Sequence, residues 1–175
     1  KMKGIYYLIF ITFFACGNSG NTPTEDAPKN WATDIAENPE VHHIQSPEGC
    51  FRLASWNIAN LGKSKDDSEI AYMAKVLKDF DVVAIQEVVA GEGGASAVAR
   101  LVDELNRKGS KWEYAVSNPT TGNGVERYAF LWRPHRIKLS GKPWLESQVA
   151  EVIDREPYLG RFTFGSKTFL LANLH

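Results

Sequence analysis

From Phe51 to Ile58 the chain alternates: Leu53, Ser55 and Asn57 fall on one face of an extended segment, and Arg52, Ala54, Trp56 and Ile58 on the other. A period of two predicts a strand. Ala59-Asn60-Leu61-Gly62 follows, and Ser64 to Asp67 read as a helix start with a capping-box pattern. The period then lengthens: Ile70, Met73, Ala74 and Leu77 lie on one helical stripe, with Phe80 at its end. The next stretch, Asp81-Val82-Val83-Ala84-Ile85-Gln86-Glu87-Val88, has neither period. Its continuous apolar run reads as a strand covered on both faces. Such a strand has no reason to end in an amide and a carboxylate unless its tip faces water or a ligand. Ligands of open α/β sheets bind at the carboxyl ends of strands, which makes Glu87 a candidate metal ligand.

Residues 90–94 read as a loop, and Val98, Leu101, Val102 and Leu105 mark a second helix closed by Lys108-Gly109. The remainder is strand-rich. Strands are expected over Trp112–Val116, Arg127–Arg133, Arg136–Leu139, Tyr158–Phe164 and Lys167–His175, with a turn-rich loop over Pro119–Gly124. The order βαβα followed by a meander predicts an α/β domain with helices packed on a sheet.

Composition adds limits. The chain has 175 residues, enough for one ordinary core, and a net charge of −1, which excludes a broad basic surface for nucleic acid or membrane. Any phosphate-binding site must be local. Two cysteines, Cys16 and Cys50, make no disulfide framework, and Cys50 is read as a small buried residue. Lys1 and Lys3 precede a short apolar run, Ile5 to Ala15. It falls short of the roughly 20 residues that span a bilayer, so a signal peptide and export are expected. Phe13-Phe14-Ala15-Cys16 resembles the lipobox of bacterial lipoproteins, although Phe13 stands in place of the usual Leu. That resemblance implies lipidation of Cys16 and membrane anchoring; the alternative is a plain signal peptide cut nearby, giving a secreted or periplasmic protein. Three segments are therefore expected: signal peptide and lipobox 1–16, flexible linker 17–49, folded domain 50–175. His42-His43 in the linker reads as solvated rather than as a metal pair. Lys1 ahead of Met2 reads as a misread start or a cut chain, and the strand pattern running into His175 leads us to expect truncation at the C-terminus.

Polar residues sit at strand ends: Asn57, Glu87, Glu126-Arg127, Arg155-Glu156 and His175. Each alone has an ordinary reading, such as a turn cap, a surface pair or a solvated strand end. Together they resemble a known pattern. Ser55-Trp56-Asn57-Ile58-Ala59-Asn60-Leu61-Gly62 and Ala84-Ile85-Gln86-Glu87-Val88 are similar to the first two motifs of the endonuclease/exonuclease/phosphatase superfamily. Glu126 to Pro134 and Arg155-Glu156-Pro157 look like its deoxyribonuclease I branch, and Asn173-Leu174-His175 like its histidine strand. The resemblance implies a four-layer α/β sandwich, two mixed sheets with helices outside, of which this chain supplies about the first half. The later family motifs, a Gly-Asp-x-Asn strand and a Ser-Asp-His, do not occur here.

The chemistry so implied is phosphodiester hydrolysis with a hard divalent cation, Mg²⁺ or else Mn²⁺ or Ca²⁺. Glu87 and Asn57 would be its ligands. Asn57 could instead hold a phosphate oxygen. His175 would donate a proton to the leaving oxygen, Glu126 would orient His175, and Arg155 would contact phosphate. The expected protein is a monomeric endonuclease of low specificity, acting on DNA or RNA with DNA favoured. Three departures weaken the grip on DNA: Ala59, Val89 and Gly124 stand where the branch has two arginines and a tyrosine. Arg127, Arg133, His135, Arg136 and Lys138 could compensate in part. The alternatives are a phosphoesterase for a phospholipid or sugar phosphate, and a non-catalytic surface binding protein.

Overall fold

The computed structural model describes residues 49–122 and 124–175. The expected signal peptide with Cys16, His42-His43 and nearly all of the linker lie outside the described residues.

β1 spans Leu53–Leu61, ending beyond the expected Ile58. Its faces follow the alternation: Ala54, Trp56 and Ile58 are buried, and Leu53, Ser55 and Asn57 are half-buried. α1, Asp67–Leu77, begins on a capping box, with Asp66 as N-cap and Glu69 reaching back to its N–H at 3.0 Å. Ile70, Met73, Ala74 and Leu77 are its buried stripe. β2, Val82–Val89, pairs parallel with β1 from Leu53↔Val82 to Asn57↔Gln86. α2, Gly94–Arg107, buries Val98, Leu101, Val102 and Leu105. It starts one turn close to β2: a Cβ on Gly94 would lie 1.8 Å from the Val89 carbonyl oxygen. Only glycine lets the helix rest on the strand end that carries Glu87.

β3, Glu113–Val116, and β4, Glu126–Trp132, complete a first sheet in the order β1-β2-β4-β3. A second sheet is centred on β7, Tyr158–Phe164, as expected from Pro157 onward. β8, Lys167–Asn173, flanks it on one side. Two short strands, β5 (Lys138–Leu139) and β6 (Trp144–Leu145), pair with its other ends. β6 and the 3₁₀ turn Ser147–Val149 carry no sequence signal, because a two-residue strand has no period to read.

Two cores result. Between the helices and the first sheet lie Trp56, Ile58, Leu77, Ile85, Leu101 and Leu131, among others. Between the sheets lie Phe51, Val82, Phe130, Trp132, Tyr158 and Phe162. The aromatic rings interlock, with Phe130 stacked on Tyr158 at 5.0 Å and edge-on to Phe162 at 5.4 Å. β2 is thus covered on both faces, as its continuous apolar run requires. Helix, sheet, sheet are three layers of the expected four. Among the described residues no helix covers the outer face of the second sheet, where Leu170 is 55 % exposed.

The amino end of β2 is held by charge. Asp81, 3 % exposed, accepts the Arg52 backbone N–H at 2.9 Å and faces Arg136 at 3.3 Å and Arg133 at 3.9 Å. Arg127, on β4, donates to the carbonyls of Ala90 and Ser117 at 2.9 and 2.8 Å. The expectation that these arginines compensate at a DNA surface is corrected here. Arg133 and Arg136 are paired at the end of β2 remote from Glu87, and Arg127 fastens backbone to backbone. Cys50 is buried, and it is disulfide-bonded.

Candidate active site

The ladder breaks where the chemistry is expected. Ile85 pairs with Ala129 and Val88 with Arg127, so Gln86 and Glu87 together oppose the single residue Tyr128. This is a β-bulge, a device that re-aims a side chain at a strand end. On the other side β1 also slips, from Asn57↔Gln86 to Leu61↔Val88. Glu87 has φ 58° and Asn60 φ 53°, left-handed values that β-sheet residues with a Cβ avoid. Strain of this kind concentrates at functional sites.

The bulge turns the Glu87 carboxylate toward β1. Oε1 accepts from Asn57 Nδ2 at 3.0 Å, and Oε2 accepts from the Asn60 backbone N–H at 3.3 Å. Asn57 Nδ2 also lies 3.1 Å from His175 Nε2, which is 3.5 Å from Glu87 Oε1. On its other side His175 Nδ1 meets both Glu126 oxygens, at 3.1 and 2.9 Å. The amide can only donate to Nε2, so the hydrogen-bond network assigns the ring proton to Nδ1, facing Glu126. Arg155 closes the chain: its Nε donates to the Gly124 carbonyl at 2.9 Å and lies 3.4 Å from Glu126 Oε2. A Cβ at Gly124, which has φ 79°, would come 2.6 Å from an Arg155 nitrogen. A tyrosine there could not coexist with Arg155 in this position.

All five residues expected from the sequence, Asn57, Glu87, Glu126, Arg155 and His175, therefore meet at one end of the sandwich. They come from the carboxyl ends of β1 and β2, the start of β4, the approach to β7 and the exit of β8. Both sheets contribute. Four supporting residues carried no assigned role. Glu156, 2 % exposed, accepts the Thr121 N–H in both oxygens at 3.1 and 3.0 Å and also the Thr121 hydroxyl. Burial would raise its pKa, but the Thr121 bonds outweigh burial and hold it below the ordinary carboxylate value. It thereby pins the loop beside Arg155. Tyr128 lies buried opposite the bulge, and burial, with the charge of Glu126, pushes its phenol up to about 12, so it stays neutral. Gln86 and Asn173 are buried polar groups beneath the site. The one signal for them was a polar residue at a core-facing position of an apolar run.

Glu87, His175 and Glu126 adjoin, but among the described residues no three His, Cys, Asp or Glu side chains are arranged to hold a metal ion by themselves. Mg²⁺ needs less, being commonly held by one or two carboxylates with waters and substrate phosphates. One carboxylate beside one amide, Glu87 with Asn57, fits that part of such a site.

Several known proteins are similar in sequence to this chain. No family model matches. The chain is 35 % identical over 129 residues to a deoxyribonuclease of Thioalkalivibrio sp., an alignment covering 71 % of this chain and 34 % of that protein. It is 30 % identical to Bos taurus deoxyribonuclease-1, covering 71 % of this chain and 48 % of that one. An endonuclease/exonuclease/phosphatase family domain-containing protein of Bos taurus is 28 % identical, with 71 % and 25 % covered. Over the aligned part the chain is thus similar to deoxyribonucleases and to an endonuclease/exonuclease/phosphatase family domain-containing protein. It spans between about a quarter and a half of the length of these relatives. Among solved structures, humanized D. rerio TDP2 is similar with a TM-score of 0.41 and 17 % identity, over 69 % of this chain and 44 % of that one. The α/β sandwich with mixed sheets is the architecture that the sequence resemblance leads one to expect.

Proposed function

We propose that the protein carrying this chain is an exported, divalent-cation-dependent endonuclease of low sequence specificity, acting on DNA in preference to RNA. One observation carries the reading: the His175–Glu126 pair, bonded at 2.9 Å, presents Nε2 beside Glu87 at 3.5 Å. A general acid thus sits next to a carboxylate able to hold a cation. A hard cation on Glu87 and Asn57, when bound, neutralises phosphate charge. The chain's own residues do the rest. Glu126 fixes the tautomer and orientation of His175 through Nδ1. As the imidazolium, carrying a second proton on Nε2 where the neutral ring accepts from the Asn57 amide, His175 hands that proton to the leaving oxygen. Arg155, braced on Gly124 and Glu126, holds a phosphate oxygen. The preference for DNA is supported by the names of the relatives.

A second reading, a phosphodiesterase for a non-nucleic substrate, is favoured by the rim. Ala59, Val89 and Gly124 bring no cation or ring to the site, and Arg127 is tied to backbone. Plasmid nicking by the whole protein, with Mg²⁺ and with EDTA, decides between them. We expect nicking that needs Mg²⁺ and weakens with salt. Hydrolysis of a small phosphodiester with no plasmid cleavage would select the second reading, and neither activity would leave a binding protein.

The anchor on Cys16 has its own test. Palmitate labelling of the expressed protein that is lost in Cys16→Ser is expected for the lipoprotein. A Cys16–Cys50 peptide found by mass spectrometry, without label, would mean plain secretion.

A further inference from the structure

We infer that Asn173, bonded to Gln86, is a positioning residue: a buried lock between the two sheets that sets the Glu87 bulge and His175 in register. The inference rests on the active-site reading above. Asn173 is 1 % exposed and Gln86 6 % exposed. Asn173 Nδ2 donates to the carbonyls of Ile85 at 3.0 Å and Ala129 at 3.2 Å, the last β2–β4 pair before the bulge. Its Oδ1 accepts from Gln86 Nε2 at 2.5 Å, and the same nitrogen donates to Ser55 Oγ at 3.1 Å. One side chain of the second sheet thereby bonds β2 and β4 backbone and, through Gln86, reaches β1.

The surroundings make this more than an ordinary buried bond. The hydrophobic cluster beside it is largely aromatic, with Phe51, Phe130, Trp132, Tyr158 and Phe162. Apolar packing fixes the distance between sheets but tolerates sliding, whereas directional bonds to two carbonyls tolerate little. β8 needs such a restraint. Among the described residues its ladder bonds go to β7, its inward Phe169 and Leu171 pack on the inter-sheet core, and Leu170 and Leu174 are 55 % and 56 % exposed. His175 lies two residues beyond Asn173, while its partners Asn57, Glu87 and Glu126 all belong to the first sheet. Gln86 is the first residue of the bulge and Glu87 the second. The lock joins the two groups that must meet, at a point adjacent to each.

The test compares variants of the whole protein. Asn173→Asp keeps the size but removes both donors and sets a carboxylate against two carbonyls. We expect kcat to fall about 10- to 100-fold, as a displacement of about 1 Å does, with KM nearly unchanged. The ¹⁵N signal of His175 should also lose the signature of its Nδ1–Glu126 bond. Phe162→Leu, in the same layer but outside the lock, supplies a control of comparable thermal destabilisation, and it should keep kcat. Should Asn173→Asp fail to fold, Gln86→Met, which removes one arm at constant volume, carries the same expectation. Normal kcat and ring signal in either lock variant would overturn the proposal, as would equal loss of kcat in Phe162→Leu. His175→Ala measured alongside separates the premises. If it stays active the functional reading fails, and the ring signal alone then judges the lock.

Discussion

His175→Ala is expected to lower turnover of the whole protein about 10²–10⁴-fold, the range for loss of a positioned general acid, while leaving the fold intact. The fold should survive because the His175 side chain is 28 % exposed and lies past the last ladder pair of β8. Its loss removes bonds to Glu126, yet Glu126 keeps Arg155 at 3.4 Å. Glu126→Ala should cost less, since the imidazole remains but loses the group that fixes its tautomer. The informative measurement is the double variant. Residues that act as a unit are not additive, so His175→Ala with Glu126→Ala should be no slower than His175→Ala alone. Multiplied losses would mean that Glu126 acts independently, for instance through Arg155. Near-normal cleavage by His175→Ala would remove the histidine from the mechanism.

Much of this site was legible because its residues end strands whose apolar pattern is regular. The faces of β1 and the stripes of both helices follow from period alone. Glu87 stood out because a run covered on both faces should not finish in a carboxylate. The five site residues were then placed by their resemblance to an ordered set of motifs, and the structure brings all five together. What escaped has a physical reason. A bulge adds one residue to one strand, and β2, apolar on both faces, has no alternation that would betray the extra residue. The left-handed φ of Glu87 has no sequence mark either, since glycine is the residue that usually announces it. Asn173 meets Ile85 across 88 residues and Asp81 meets Arg136 across 55. Spacing could say which way those arginines face, but not that a buried aspartate pairs with them at the end of β2 remote from Glu87.

The bulge also makes a prediction in which function and stability part. Glu87→Gln keeps the shape and removes the charge. The Mg²⁺ concentration for half-maximal activity should rise at least about tenfold, since a hard cation favours a charged oxygen and ligand-shell changes typically cost 10- to 100-fold in metal affinity. An unchanged Mg²⁺ titration would refute the ligand role. Two truncations isolate the backbone. Glu87→Ala and Glu87→Gly both remove the carboxylate, so both should be equally impaired with the metal. They differ in what φ 58° costs. A residue with a Cβ is held there at about 1–2 kcal/mol, whereas glycine is not. Glycine loses roughly 0.5–1 kcal/mol more on folding through its freer unfolded chain. The strain term is the larger, so Glu87→Gly should be about 0.5–1 kcal/mol more stable than Glu87→Ala, read as a higher urea midpoint at equal slope. Alanine equal to or better than glycine would show that the bulge holds no strain at this position. The order Gly above Ala, with both inactive, would show that the protein keeps a costly backbone at Glu87 because the carboxylate must point where only a bulge can send it.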